Sequence, residues 1–158
     1  MKKFFIILFG MIAVSQTSTA QSVYAELGGP GLASLNFDTR FSKTNGGFGG
    51  RVGVGGFSID GSGIVFVPVG LNYLISKDNR NFFEVGAGVT PVFGSGDLAD
   101  GDNFSSTFGH VLLGYLMQPA DGGFTFRAFI SPVFGSGYFI PYYGGVSFGY
   151  KFGKSKEK

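Results

Sequence analysis

Residues 146–152 alternate without a break: Val146, Phe148, Tyr150 and Phe152 on one side, Ser147, Gly149 and Lys151 on the other. Successive side chains on a strand point to opposite faces, so the stretch has one large apolar face and one small or polar face. The same pattern recurs in seven earlier segments. That repetition predicts strands at 22–28, 32–42, 48–57, 64–76, 82–93, 105–117, 123–134 and 140–152. Turn residues punctuate them, among them Gly29-Pro30-Gly31, Asn45-Gly46, Pro119-Ala120-Asp121-Gly122 and Gly135-Ser136-Gly137, with the longest loop at 94–104. An internal repeat supports this division. Val89-Thr90-Pro91-Val92-Phe93-Gly94-Ser95-Gly96 nearly duplicates Ile130-Ser131-Pro132-Val133-Phe134-Gly135-Ser136-Gly137.

The first twenty residues read as a cleavable signal peptide. Lys2 and Lys3 precede an apolar run at 4–14, and Ser18-Thr19-Ala20 supplies the small residues of a cleavage site. That run is shorter than the about 20 residues a membrane helix needs, and no later segment is longer and as apolar. Setting Lys2 and Lys3 aside leaves ten Lys and Arg against ten Asp and Glu, a balance that gives nucleic acid no handle. The chain has no cysteine, which excludes disulfides, thiolate catalysis and a lipoprotein anchor. Twenty-nine glycines, 20 phenylalanines and 14% charged residues are unusual for a water-soluble domain. If the mature chain is membrane-embedded, only a closed barrel satisfies its backbone, and an even strand number puts both termini on the periplasmic side. The reading is therefore an all-β, eight-stranded antiparallel up-and-down transmembrane barrel at 21–153. It follows a signal peptide at 1–20 and ends in a basic periplasmic tail at 154–158.

The faces then acquire roles. Phe48, Tyr73, Phe83, Tyr115, Phe124 and Tyr150 point outward at one level, as an aromatic interface girdle does. Glu26, Asp38, Arg40, Arg51, Glu84, Arg127 and Lys151 point inward with glycines between them. Eight strands leave an interior just wide enough for side chains, so these seven are expected to pair as a lumen plug rather than line a channel. A soluble, inverted barrel would have to pack the Phe, Val and Tyr set into that small space. Pro68, Pro91, Pro132 and Pro141 fall toward the far ends of their strands. Proline donates nothing to a ladder, so they mark bulges or a lateral gap. Val146, Phe148, Tyr150 and Phe152 have the form of a strand read by barrel-insertion machinery.

In architecture the chain resembles the small OmpA- and OmpX-type barrels. It looks closest to an uncharacterised outer-membrane barrel family of Bacteroidota. The matching residues run from Val23-Tyr24-Ala25-Glu26-Leu27-Gly28-Gly29 and Ser34-Leu35-Asn36-Phe37 through Pro68-Val69-Gly70-Leu71-Asn72-Tyr73. They continue in Phe83-Glu84-Val85-Gly86-Ala87-Gly88-Val89 and Gly122-Gly123-Phe124-Thr125-Phe126-Arg127. The resemblance implies the fold and an outer-membrane location, and brings no catalytic residue with it.

Searches for chemistry end in ordinary explanations. His110, the one histidine, shares a face with Ser106, but Leu112 stands where the His-x-Ser of lipid A deacylases needs serine. Asp97, Asp100, Asp102 and Asn103 lack calcium-loop spacing. Gly153-Lys154-Ser155 lacks the spacing of a phosphate loop and a following helix. No catalytic residue, metal or cofactor is expected. The expected partners are outer-membrane lipid and, during assembly, the insertion machinery, with the protein a monomer. The function expected is a structural or surface barrel. The alternatives are a lipid-handling barrel, entered sideways at the prolines by lipid or a small apolar ligand or acting as an acyl hydrolase- or transferase-like enzyme, or a narrow solute channel.

Overall fold

A computed structural model describes residues 21–42, 44–59, 62–95 and 104–153. Residues 1–20, read above as a signal peptide, the loop residues 96–103 with their expected acidic cluster, and the tail 154–158 lie outside them. Eleven strand segments are present: β1 (Gln21–Gly28), β2 (Ala33–Arg40), β3 (Gly47–Ile59), β4 (Ser62–Phe66), β5 (Val69–Ile75), β6 (Asn81–Ser95), β7 (Phe104–Met117), β8 (Gly123–Ile130), β9 (Val133–Gly135), β10 (Tyr138–Ile140) and β11 (Gly144–Phe152). They make eight staves, because β4 and β5, β8 and β9, and β10 and β11 are each one stave interrupted near a proline. Every pairing is antiparallel, and β1 closes the barrel by pairing with both β2 and β11. No helix of the described residues is long and apolar enough to cross a membrane.

Register fixes the faces. Arg51 pairs with Asp38, Glu26 with Ser147, and Val69 with Val89, so polar residues meet polar ones inside and aliphatic ones meet outside. A slip of one residue would exchange the faces of a whole stave. The alternation seen at the C-terminal strand is thus the alternation of the whole wall.

Of the two outcomes expected at Pro68, Pro91, Pro132 and Pro141, bulges or a lateral gap, the wall shows hydrogen-bonded breaks and a bulge. Pro91 lies inside an uninterrupted β6. The carbonyls of Pro68, Pro91 and Pro132 accept from the amides of Gly53, Val67 and Val111 at 2.9, 3.0 and 3.0 Å, so the wall holds at all three. Pro132 cannot return a bond to the Val111 carbonyl, and the Ser131 hydroxyl donates to it instead at 2.8 Å. Pro141 sits in a bulge: Ile140 pairs with Val133 while the Ser131 amide donates to the Tyr143 carbonyl, so Pro141 and Tyr142 together oppose Pro132.

Candidate functional site

The lumen is in two parts. In the half nearer the described termini, three carboxylates meet three guanidinium groups. Alternation places them: Tyr24 and Glu26 share a face of β1, Asn36, Asp38 and Arg40 a face of β2, and all are buried. Glycine on the neighbouring strand makes room for the long side chains. A Cβ on Gly49 would fall inside the Arg40 guanidinium, and one on Gly53 inside the Asn36 amide.

The contacts form one network. Arg51 Nη2 donates to both oxygens of Glu26, at 3.2 and 2.9 Å. Arg40 is paired with Asp38 and also donates to Asn72 Oδ1 at 2.5 Å and the Gly47 carbonyl at 3.1 Å. Asn72 Nδ2 bridges Asp38 and Glu84 at 2.8 and 2.6 Å. Arg127 lies 2.6 Å (Nε) from Glu84 Oε2 and 3.4 Å (Nη2) from Asp38 Oδ2. The first of these is an ion pair by distance, without the alignment of a hydrogen bond, since neither atom has a hydrogen-bond partner. Opposite charges in equal number, hydrogen-bonded to one another, are what lets ions stay buried.

Arg51 reaches Glu26, and Arg127 reaches Glu84 and Asp38, pairings within the set expected to fill the lumen. The place of Tyr24 in this layer was not read from the sequence. Tyr24 stands between Arg51 and Arg127, whose guanidinium carbons lie 5.7 and 4.4 Å from its ring centre, within cation–π range. Its place two residues before Glu26 on an alternating strand is the signal that would have found it. Asn72 bridges two of the carboxylates, a role that alternation along its strand does not announce.

Lys151 stands apart from the layer, at the end of the barrel. Its Nζ donates to Asn45 Oδ1 at 2.6 Å and to the carbonyls of Pro119 and Ala120 at 3.0 and 2.9 Å. It ties two turns together and contacts none of the three carboxylates. A small apolar cluster of Leu74, Phe82 and Leu116 is also buried, so the interior is less polar than alternation with glycine suggested.

The six outward aromatics pair across the ladders: Phe48 with Tyr73, Phe83 with Tyr115, and Phe124 with Tyr150. All are exposed, from 41 to 62%. The Phe48 and Tyr73 rings are edge-to-face at 4.7 Å, and the Tyr115 hydroxyl donates to Asn81. Val146, Phe148, Tyr150 and Phe152 form one outward row on β11, each at least 37% exposed.

Farther from the termini the lumen changes character. His110 Nδ1 and Thr90 Oγ1 are 3.2 Å apart and buried, and the Ser131 hydroxyl donates to the Val111 carbonyl. Above them the inward positions are mainly aromatic and aliphatic.

No protein-family model matches the chain, and no curated protein matches it. Among solved structures it is similar to the N-terminal β-barrel domain of OprF from Pseudomonas aeruginosa. The TM-score there is 0.63 at 12% identity, covering 87% of this chain and 98% of that one. It also matches Ail, the attachment invasion locus protein of Yersinia pestis, at a TM-score of 0.45 and 16% identity, over 85% of this chain and 97% of that one. The small eight-stranded barrel architecture is common ground with the OprF domain; the identity is too low for the likeness to carry more than the fold.

Proposed function

We propose that this chain is an integral outer-membrane barrel, with a structural or surface role, whose lumen is closed by its own ion pairs. The carrying observation is the inside–outside distribution. Glu26, Asp38, Arg40, Arg51, Glu84 and Arg127 are each at most 4% exposed, while the girdle aromatics on the opposite face are ten times more so. A protein in water has no reason to present that outer face, and lipid has. Signal-directed export, periplasmic termini, monomeric state, a role for Val146, Phe148, Tyr150 and Phe152 in assembly, and membership of the Bacteroidota-type barrels belong to the same reading. A barrel without catalytic activity is part of the same reading.

The test is conductance in planar bilayers. A plugged barrel gives little or no steady current. The Arg51→Ala, Arg127→Ala double variant, which leaves three carboxylates with one arginine, admits cations and unfolds at lower urea. Large steady current in the wild type, unchanged in the double variant, would replace the plug with a channel.

A further inference from the structure

The barrel wall has one low side. β6 runs unbroken for 15 residues, and its outward row goes from Phe83 in the girdle to Phe93, ten residues on. At about 3.4 Å per residue along strands tilted some 40°, those two rings stand roughly 26 Å apart in height. Phe124 and Phe134 repeat the interval two staves away, and Phe139 pairs outward with Phe134. Phe93, Phe134 and Phe139 thus form a second aromatic row, at the spacing of the apolar band of about 25 Å in outer-membrane barrels. β1 and β2 do not reach it, being 8 residues each. β1 starts at Gln21, beside Phe152 at the foot of the barrel, and ends at Gly28, roughly 18 Å higher. Nor does the turn make up the height. Gly29, Pro30 and Gly31 are buried, and a Cβ on Gly29 would meet the Phe129 ring and Glu26 Oε1 at 2.7 Å. The turn folds inward over the charged layer like a sill. Among the described residues the wall on this side therefore stops roughly 8 Å short of the upper aromatic row.

The outer surface of the low side is apolar up to its top. Val23, Ala25 and Leu27 face outward on β1, Ala33 and Leu35 on β2, and all five are exposed. Leu32, in the turn itself, is exposed too and holds a φ of 59°, a left-handed conformation that bulky side chains avoid. In water Asn or Gly would serve better there; at the edge of hydrocarbon a leucine has a place to go. The apolar rows mark where hydrocarbon lies, and the turn marks where it ends. Gly29 to Leu32 are backbone outside any strand, and irregular backbone is not left facing lipid tails. A bilayer meets a short apolar belt by thinning, at a small cost for each ångström. Only two of the eight staves are short, so the adjustment is local.

Building on the membrane reading above, we infer that the β1–β2 side of the barrel thins the bilayer beside it, drawing the lipid headgroups of the leaflet farther from the termini down to the level of Leu27 and Leu32. The chain contains no tryptophan, so a single introduced one reports its own depth. Leu27→Trp stands six residues above Gln21, and Val89→Trp six above Phe83, so the two lie at about one height on opposite sides of the barrel. Phe93→Trp marks the upper aromatic row, and Phe48→Trp the girdle beside the hairpin. All four positions are exposed and face outward. The vesicles are phosphatidylcholine brominated either near the ester ends or near the methyl ends of its chains. Leu27→Trp is expected to be quenched about twofold more by ester-end bromine, as Phe93→Trp and Phe48→Trp are, and Val89→Trp about twofold more by methyl-end bromine. A Leu27→Trp with the profile of Val89→Trp overturns the thinning and leaves the membrane barrel standing. A Leu27→Trp quenched by neither lipid, beside a quenched Val89→Trp, overturns it too, because protein then covers that side. A methyl-end profile at Phe48→Trp with an ester-end profile at Leu27→Trp means that the barrel tilts as a rigid body in an undeformed bilayer, which also overturns it. Quenching at none of the four removes the membrane reading and the inference with it. Should Leu27→Trp fail to fold, Leu35→Trp, on the same outward face and paired with Ala25, takes its place with the same outcomes.

Discussion

Asp78 shows how much one side chain can organise when it has no burial to help it. In the turn between β5 and β6, its Oδ1 accepts from the backbone amides of Asn81 and Arg80 at 2.8 and 3.0 Å, and its Oδ2 from the Asn81 side chain at 2.6 Å. Those donors, the Asn81 amide first, hold its carboxyl well below the usual carboxylate range. A depressed value in the folded state means that the ionised form favours folding. The contribution is full above the unfolded value of about 4 and is lost as pH falls toward the folded one. Asp78→Ala is therefore expected to lower the urea midpoint at pH 7, with the gap to wild type narrowing below pH about 4. A gap of equal size at pH 7 and pH 2 would show that the turn depends on shape rather than on the charge. The same contrast explains what sequence shows at this scale. Asp78 and Asn79 announce a turn, and Asn79 adopts the positive φ of 57° that asparagine tolerates. Tyr24 announces only a face; its position between two guanidinium groups depends on strands far away in the chain.

The β1–β2 hairpin is where local grammar and three-dimensional role part company. Gly29-Pro30-Gly31 was legible as a turn, and β1 as a short strand, because turn chemistry and alternation are local. That the turn lies inside the barrel was not legible, since it depends on Phe129 and Pro68, each two staves away on either side of the hairpin. The proline breaks were likewise visible, as bulges or a gap, and local sequence does not choose between them: loss of one donor weakens a ladder only where no carbonyl or hydroxyl bridges it, and here Pro68, Pro91 and Pro132 keep their acceptors engaged. The outer aromatic lining was hidden for a related reason. Phe57 and Phe66 lie on the face that carries Arg51 and Gly55 lower down, and a strand changes the character of its lumen face partway along without changing period. Two glycines separate the turn's roles. Gly29 and Gly137 both have positive φ, 70° and 82°, but a Cβ on Gly137 would meet nothing within 4 Å. Gly137→Ala should cost only the backbone strain, about 1–2 kcal/mol. Gly29→Ala adds the clash with Phe129 and Glu26 and should lower the urea midpoint distinctly more. Equal losses would mean the sill is not packed against the charged layer.

At the scale of the whole molecule, one choice governs everything else: which face meets lipid. The membrane reading proposed above has the Val, Leu and Phe rows face hydrocarbon, and the charged layer inside and the exposed aromatic pairs outside support it. Val69 tests that choice cleanly. It lies on β5 between Tyr73 and Ile75 toward one end and Val65 toward the other, is 44% exposed, and pairs outward with Val89. That position is near the middle of its outward row, where an arginine costs about 2–4 kcal/mol in a bilayer. Such a cost lowers the folding equilibrium constant in vesicles by roughly 30- to 1,000-fold, since each 1.4 kcal/mol is tenfold. Val69→Ala removes little buried area and should fold nearly as well as the wild type. In a water-soluble barrel the ranking would turn around, because a surface arginine is harmless there and the apolar row would favour aggregation instead. Reversible urea titrations of the wild type, Val69→Ala and Val69→Arg in the same vesicles therefore separate the two. Equal midpoints for all three would mean that the outward rows never meet hydrocarbon.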